Sequence, residues 1–263
     1  MTSIRTVTAT RYVAPLREGG SLPGLMEADD LGTYVVKYRG AAQGVRTLIA
    51  ELITGEIGRL LGLPVPEIVF AELDPVFAKA EPDPEIQDLL AASSGLNLAL
   101  DFLPGSLPYT VAMQHLVDPG LAARVVWLDA LTTNIDRTPR NPNLLIWHRK
   151  LWLIDHGASL YLQHTWTDVE TRARTPFPQI ADHVLLPIAS SIAGAGRELR
   201  PKITPEAIES IVAAIPEDWL ADPAPFATPD DLRRAYVDLI LIRLSAADAF
   251  EAAAEQARLG VAA

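Results

Sequence analysis

The chain has 263 residues, 49% of them hydrophobic and 21% charged, which suffices for a sizeable core and excludes wholesale disorder. A formal net charge of −11 repels phosphate backbones, so direct nucleic-acid binding is not expected and any phosphate bound here must be captured locally. The absence of cysteine excludes disulfides, thiolate metal sites and thiol nucleophiles; the N-terminus lacks a signal peptide's apolar stretch and no apolar run reaches roughly 18 residues, so a cytoplasmic protein with no membrane partner is expected.

Residues 4–13 and 24–28 read as strands, and YVVKYR (34–39) continues the pattern after Asp29-Asp30-Leu31-Gly32, whose residue types suit a tight hairpin turn. The next segment, VRTLIAELITGEIGRLLG (45–62), places Leu48, Leu52, Ile57, Leu60 and Leu61 on a helical period, with Gly62 positioned to end the helix. EIVFAELD (67–74) and LNLALDFL (96–103) read as two further strands, on either side of the short helical segment PEIQDLLAAS (84–93). Pro104-Gly105-Ser106 interrupts the pattern, and beyond it helical periods dominate apart from a hairpin at 143–154 joined by His148-Arg149-Lys150. Thr204-Pro205-Glu206 and Thr228-Pro229-Asp230 each set a capping hydroxyl before a proline at the first helical position, and the second of these helices is expected to run to about Arg258. The expected fold is α+β and two-lobed: residues 1–103 with five strands plus one main helix, and residues 104–263 mostly helical.

Chemistry concentrates in NIDRTPRNPNLLIWHRKLWLIDHG, which sets Asp136 five residues before Asn141 and, beyond the hairpin, places Asp155 directly before His156-Gly157. Three oxygen-bearing side chains at that spacing suit a magnesium-nucleotide site. A hard divalent cation takes carboxylate and amide oxygens, and phosphoryl transfer needs a further carboxylate to orient the attacking hydroxyl and take its proton. Prolines at 139 and 142 forbid a regular helix, so a stiff loop presents Asp136, Arg137, Asn141 and Asn143. The alternative, that Asn134, Asp136 and Asn141 merely cap turns, stays open for the loop alone. Asp155 weighs against it, because a carboxylate following Leu151-Trp152-Leu153-Ile154 is costly unless paired or on a metal.

Lys37 shares a strand face with Val35 and Arg39; it is either a solvent-facing lysine or a charge that holds nucleotide phosphates, steadied by a helix carboxylate for which Glu51 and Glu56 compete. The turn GGSLPG (19–24) could fold over phosphates through backbone N–H groups, although it matches no phosphate-loop motif. The histidines at 115, 148, 156, 164 and 183 lack zinc spacing, and no G-x-S-x-G elbow occurs.

Taken together, YVVKYR, AELITGEIGRLLGLPVPE, NIDRTPRN and LIDHG resemble the HipA-like kinases, a branch of the protein-kinase-like fold, from about residue 15 to residue 160. The resemblance implies ATP and Mg2+ as cofactors, Asp136 as catalytic base, and Asn141 and Asp155 as metal ligands. It also implies that Lys37 binds phosphate and is oriented by Glu51, with Ser21 and Gly24 contributing from the glycine-bearing turn and the adenine edge lying against Asp101, Phe102 and Leu103. Ser21 falls near a serine that the family phosphorylates. Thr138 stands where many relatives carry histidine, and His156 where other kinases have phenylalanine. The implied activity is ATP-dependent phosphotransfer to a Ser/Thr hydroxyl, with an unidentified protein as acceptor. Two other readings share these residues: a nucleotide-binding module with weak or lost turnover, and a small-molecule hydroxyl kinase. The acceptor pocket of the latter would come from the region after 157, where Trp166, Arg172, Arg174, Phe177 and His183 form no interpretable motif.

Overall fold

The computed structural model describes residues 4–16, 22–41 and 44–261, so Ser21 and the first two glycines of GGSLPG lie outside the described residues. The chain divides into two compact units, one built from Met1–Leu52 and Pro66–Pro104, the other from Ile53–Val65 and Gly105–Ala263. The segment 53–65 therefore groups with the second unit, although it precedes two strands of the first.

The first unit holds β1 (Thr6–Pro15), β2 (Gly24–Ala28), β3 (Thr33–Lys37), β4 (Ile68–Leu73) and β5 (Gly95–Asp101). They form a closed barrel in the order β1-β2-β3-β5-β4, a closure that the strand-by-strand reading of the sequence does not anticipate. Closure depends on β1, which pairs antiparallel with β2 and parallel with β4 through Thr6↔Phe70, Val7↔Ala71 and Thr8↔Glu72. Register shifts at Ala9/Arg11 and Tyr12/Ala14 bend this long strand, as bulges do, and let it serve two neighbours. Period-2 alternation sends Val7, Met26, Tyr34, Val36 and Val69 into the core. The opposite face of β3 and β5 carries Val35 and Lys37, which pair in register with Leu100 and Leu98.

Helix α1 (Gly44–Leu60) follows β3. Around its middle, residues 51–55 are all buried, so the helix is enclosed rather than amphipathic, and its apolar periodicity marks only part of what it buries. Gly62 adopts φ +77 beyond its C-terminus, and the Leu63 N–H reaches back to Gly58 O at 2.9 Å, the closing bond that an αL glycine permits. Between β4 and β5 lie α2 (Val76–Ala80), absent from the sequence reading, and α3 (Pro84–Ala92), capped by Asp83. The Asp74 carboxylate accepts from Val76 N at 2.7 Å, an Asx-type turn that starts α2 within too few residues to show a period.

In the second unit, α4 (Pro119–Thr132) is buried on nearly all sides from Ala122 onward. A three-stranded sheet, β6 (Leu107–Pro108), β7 (Leu144–Trp147) and β8 (Lys150–Leu153), follows the order β6-β7-β8. The β7–β8 turn has two residues, His148 and Arg149, both at positive φ as this tight hairpin requires, so Lys150 belongs to β8 rather than to the turn. Helices α5 (Val169–Ala173), α6 (Ile192–Leu199) and α7 (Pro205–Ala213) precede α8 (Pro229–Ser245) and α9 (Ala247–Val261). Thr204 and Thr228 cap α7 and α8 through Ala207 N and Asp231 N. The expected continuous helix from 229 to about 258 is broken at Ala246. There the Ser245 hydroxyl donates to Ile242 O at 2.7 Å, a back-bond that bends helices. Among the described residues no helix is long and apolar enough to cross a membrane.

Candidate active site

In the first unit, Lys37 stands on β3 and is 8% exposed, and its Nζ donates to Glu51 Oε2 of α1 at 2.7 Å. Glu51 is fully buried. Glu56, the rival partner, instead pairs with Arg59 on the same helix at 3.1 Å. A buried ammonium-carboxylate pair is expensive in desolvation, so its presence on the outer barrel face calls for a purpose beyond stability. Gly24 lies within β2 and is paired on both sides, to Pro15 and Val36. A Cβ there would stand 1.9 Å from Tyr38 Oη, so the missing side chain makes room for the Tyr38 ring. At the end of β5, the N–H groups of Asp101 and Phe102 are taken by Glu67 O and Thr33 O, each at 2.9 Å. Of the three residues assigned to the adenine edge, the buried Leu103 carries the remaining backbone donor.

In the second unit, α4 ends on Thr133 in the left-handed region (φ +54), a strained setting for a β-branched residue and one that turns the chain sharply into Asn134-Ile135-Asp136. Asn134 locks this turn: its amide nitrogen donates to Asp129 Oδ1 at 3.0 Å, and its Oδ1 accepts from Asp136 N at 3.1 Å. The Asp136 carboxylate then accepts from two asparagines through Oδ2, Asn141 Nδ2 at 2.7 Å and Asn143 Nδ2 at 3.3 Å. Thr138 closes the intervening turn, its N–H on Asp136 O and its carbonyl accepting from Asn141 N at 3.1 Å.

Arg137 organises the surroundings. Its guanidinium, buried to 1% exposure, donates to Asp129 Oδ2 at 2.6 Å, to Asn143 O and Ile154 O at 2.5 and 3.2 Å, and to His156 Nδ1 at 3.1 Å. Asn143 O also accepts from Ile154 N at 3.1 Å, so the two ends of the β7–β8 hairpin are joined to each other and to Arg137. Asp155 leaves that junction with φ +55, and Arg137 fixes the residue on each side of it. His156 is buried, and its Nδ1 serves as an acceptor for Arg137.

Asp129 and His183 complete the network and were not singled out by spacing. His183 Nε2 donates to Asp129 Oδ2 at 2.9 Å while its Nδ1 accepts from Leu185 N at 3.1 Å, an arrangement that fixes a neutral ring. Burial pushes the His183 pKa down, with Arg137 adding to it, and Asp129 opposes without prevailing. For Asp129, burial works against ionisation, but the Arg137 charge and the His183 hydrogen bond outweigh it and hold the carboxyl well below its ordinary range. The only sequence signal for Asp129 is its place in the apolar run from Val125 to Leu131, since a charge there demands a partner.

The donor set fits a magnesium ion. Asn141 spends its amide nitrogen on Asp136, which leaves its carbonyl oxygen, and Asp155 adds a carboxylate two residues beyond the hairpin that begins three residues after Asn141. Among the described residues no three His, Cys, Asp or Glu side chains gather around a point. The residues named for an acceptor pocket are largely engaged elsewhere: His183 with Asp129, Arg174 with Glu170 and Ser245, Arg172 with Thr165 and Thr167, and Phe177 in the core.

A family model described as HipA-like kinase matches residues 10–253. Among solved structures, the chain is similar to the proinflammatory kinase CtkA of Helicobacter pylori, with a TM-score of 0.58 and 12% sequence identity over 99% of each chain, a likeness of fold. No curated protein matches.

Proposed function

The chain belongs to the HipA-like kinase family, and from that premise we propose that it transfers the γ-phosphate of ATP to a serine or threonine hydroxyl of a protein. The observation that carries this reading is the Asp136 carboxylate, held at Oδ2 by Asn141 and Asn143 in a loop whose next residue is fixed to both ends of the hairpin leading to Asp155. With Oδ2 committed, Oδ1 remains to accept the proton of an attacking hydroxyl. Lys37, steadied by Glu51, grips phosphate oxygens, and the Leu103 N–H meets the adenine edge. Asn141 Oδ1 and the Asp155 carboxylate would hold magnesium, which when bound offsets the negative charge of the phosphates. Of the turn assigned to phosphate binding, Gly24 acts through space, by seating Tyr38 beneath β2.

Asp136→Asn keeps the shape of the loop and removes the proton acceptor. The expected outcome is a loss of phosphoryl transfer of about 10² to 10⁴ with magnesium-ATP binding retained. Undiminished transfer to protein by this variant contradicts the role. Labelled ATP with cell lysate, followed by analysis of the labelled residue, tests the acceptor: label on serine or threonine supports the proposal, and label confined to small molecules favours the small-molecule kinase.

A further inference from the structure

A pair of buried hydroxyls that no part of the proposed chemistry uses links α1 to the segment after Asp155. Thr54, fully buried on α1, has its Oγ1 2.6 Å from the Oγ of Ser159, which is also fully buried. The Ser159 hydroxyl donates to His156 O at 2.7 Å, and the Ser159 N–H reaches the same carbonyl at 3.0 Å. In the short contact with Thr54 either hydroxyl can be the donor, so the two oxygens are held together whichever proton lies between them. The usual local acceptor of a helical threonine is the carbonyl one turn back, and here the hydroxyl serves a residue 105 positions away.

Both ends of this relay matter. Thr54 lies three residues after Glu51, hence on a neighbouring strip of the same continuous helix one turn along, so a rotation or shift of α1 that moves one moves the other. At the far end, His156 O belongs to the residue that follows Asp155, whose left-handed backbone (φ +55) is a strained state that persists only if its surroundings hold it. Arg137 grips Ile154 O and the His156 ring, and Ser159 grips the His156 carbonyl. Of these clamps, the one through Ser159 is answerable to α1.

We infer that Thr54 and Ser159 are positioning residues that couple the setting of α1, and with it the Lys37–Glu51 pair, to the presentation of the Asp155 carboxylate to magnesium. This rests on the kinase reading above. Loosening the relay lets Asp155 relax from its metal-ready backbone state without touching any atom that meets nucleotide or metal.

The test is the magnesium concentration at half-maximal thermal stabilisation by ATP, measured on the full chain for wild type, Thr54→Val, Thr54→Ser, Ser159→Ala and the Thr54→Val/Ser159→Ala double variant. Partners that orient a metal ligand are worth about 10- to 100-fold in metal affinity, and this relay acts one step further out, so Thr54→Val is expected to raise the midpoint about 3- to 10-fold. Thr54→Ser restores the wild-type value, and the double variant shifts no more than the larger single change, because one link has been cut twice. A role confined to packing lowers the melting temperature at every magnesium concentration and leaves the midpoint in place; that result, or additive shifts in the double variant, overturns the inference alone. Ser159→Ala cuts the same link from the other side if Thr54→Val does not fold. A wild type that shows no magnesium-dependent response to ATP removes the kinase reading and this inference with it.

Discussion

Lys37 and Glu51 illustrate how a single contact changes the meaning of a residue. A strand lysine by itself is an ordinary solvent-facing side chain, and the 2.7 Å bond to a fully buried glutamate on α1 makes this one a structured charge. Removing one partner of such a pair strands the other in a low-dielectric setting, at a cost of about 3–5 kcal/mol, whereas replacing both with apolar residues is often neutral. Lys37→Met is therefore expected to lower unfolding stability by about that amount, and Lys37→Met/Glu51→Leu by clearly less. Denaturant titration of both variants decides it, and a double variant worse than the single would show that the pair contributes more than its own desolvation cost. The motif pieces made Lys37, Asp136, Asn141 and Asp155 legible in the sequence. Asp129 and His183 were not, because their partnership spans 54 residues and leaves no local spacing to read.

Elements follow the same divide between local and distant causes. The helix at 44–60, the hairpin at 144–153 and the threonine caps of α7 and α8 are written in short-range signals: an apolar period, a polar turn between apolar runs, a hydroxyl before a proline. The closure of the barrel and the break at Ala246 are not, since the first needs a parallel pairing between β1 and β4 and the second a back-bonded Ser245. The turn from α4 into the Asp136 loop depends on a distant element as well, because His183 secures Asp129 at the helix end. This makes the turn sensitive to acid, with a sign that can be worked out. The folded-state pKa of His183 is depressed below its ordinary 6.5, so below that pH the unfolded chain binds the proton that the folded one refuses, and stability falls as pH falls. The Asp129 pKa is also depressed, which removes further stability once pH drops below the ordinary carboxylate value of 3.8. Stability should therefore decline from pH 7 toward pH 5, and His183→Asn, which offers a neutral donor with no such titration, should flatten that decline. An unchanged slope in the variant would mean that the pH dependence originates in other groups.

At the scale of the molecule, each compact unit carries some of the residues on which the proposed function rests: the first holds the Lys37–Glu51 pair and Leu103, the second the Asp136 loop and the aspartate after the hairpin. Helix α1 is counted in both, from Gly44 to Leu52 in one and from Ile53 onward in the other. With a net charge of −11, the chain as a whole repels a triphosphate, so the proposed function asks local charges to capture it: Lys37 in the first unit, and in the second a cation that Asn141 and Asp155 would hold. Magnesium-dependent stabilisation by ATP tests the proposed capture most directly when wild type is compared with Asp155→Ala. The expected result is a rise in melting temperature for the wild type that requires both ATP and magnesium, and no magnesium-dependent component in the variant; equal stabilisation of the two proteins would contradict the proposed capture.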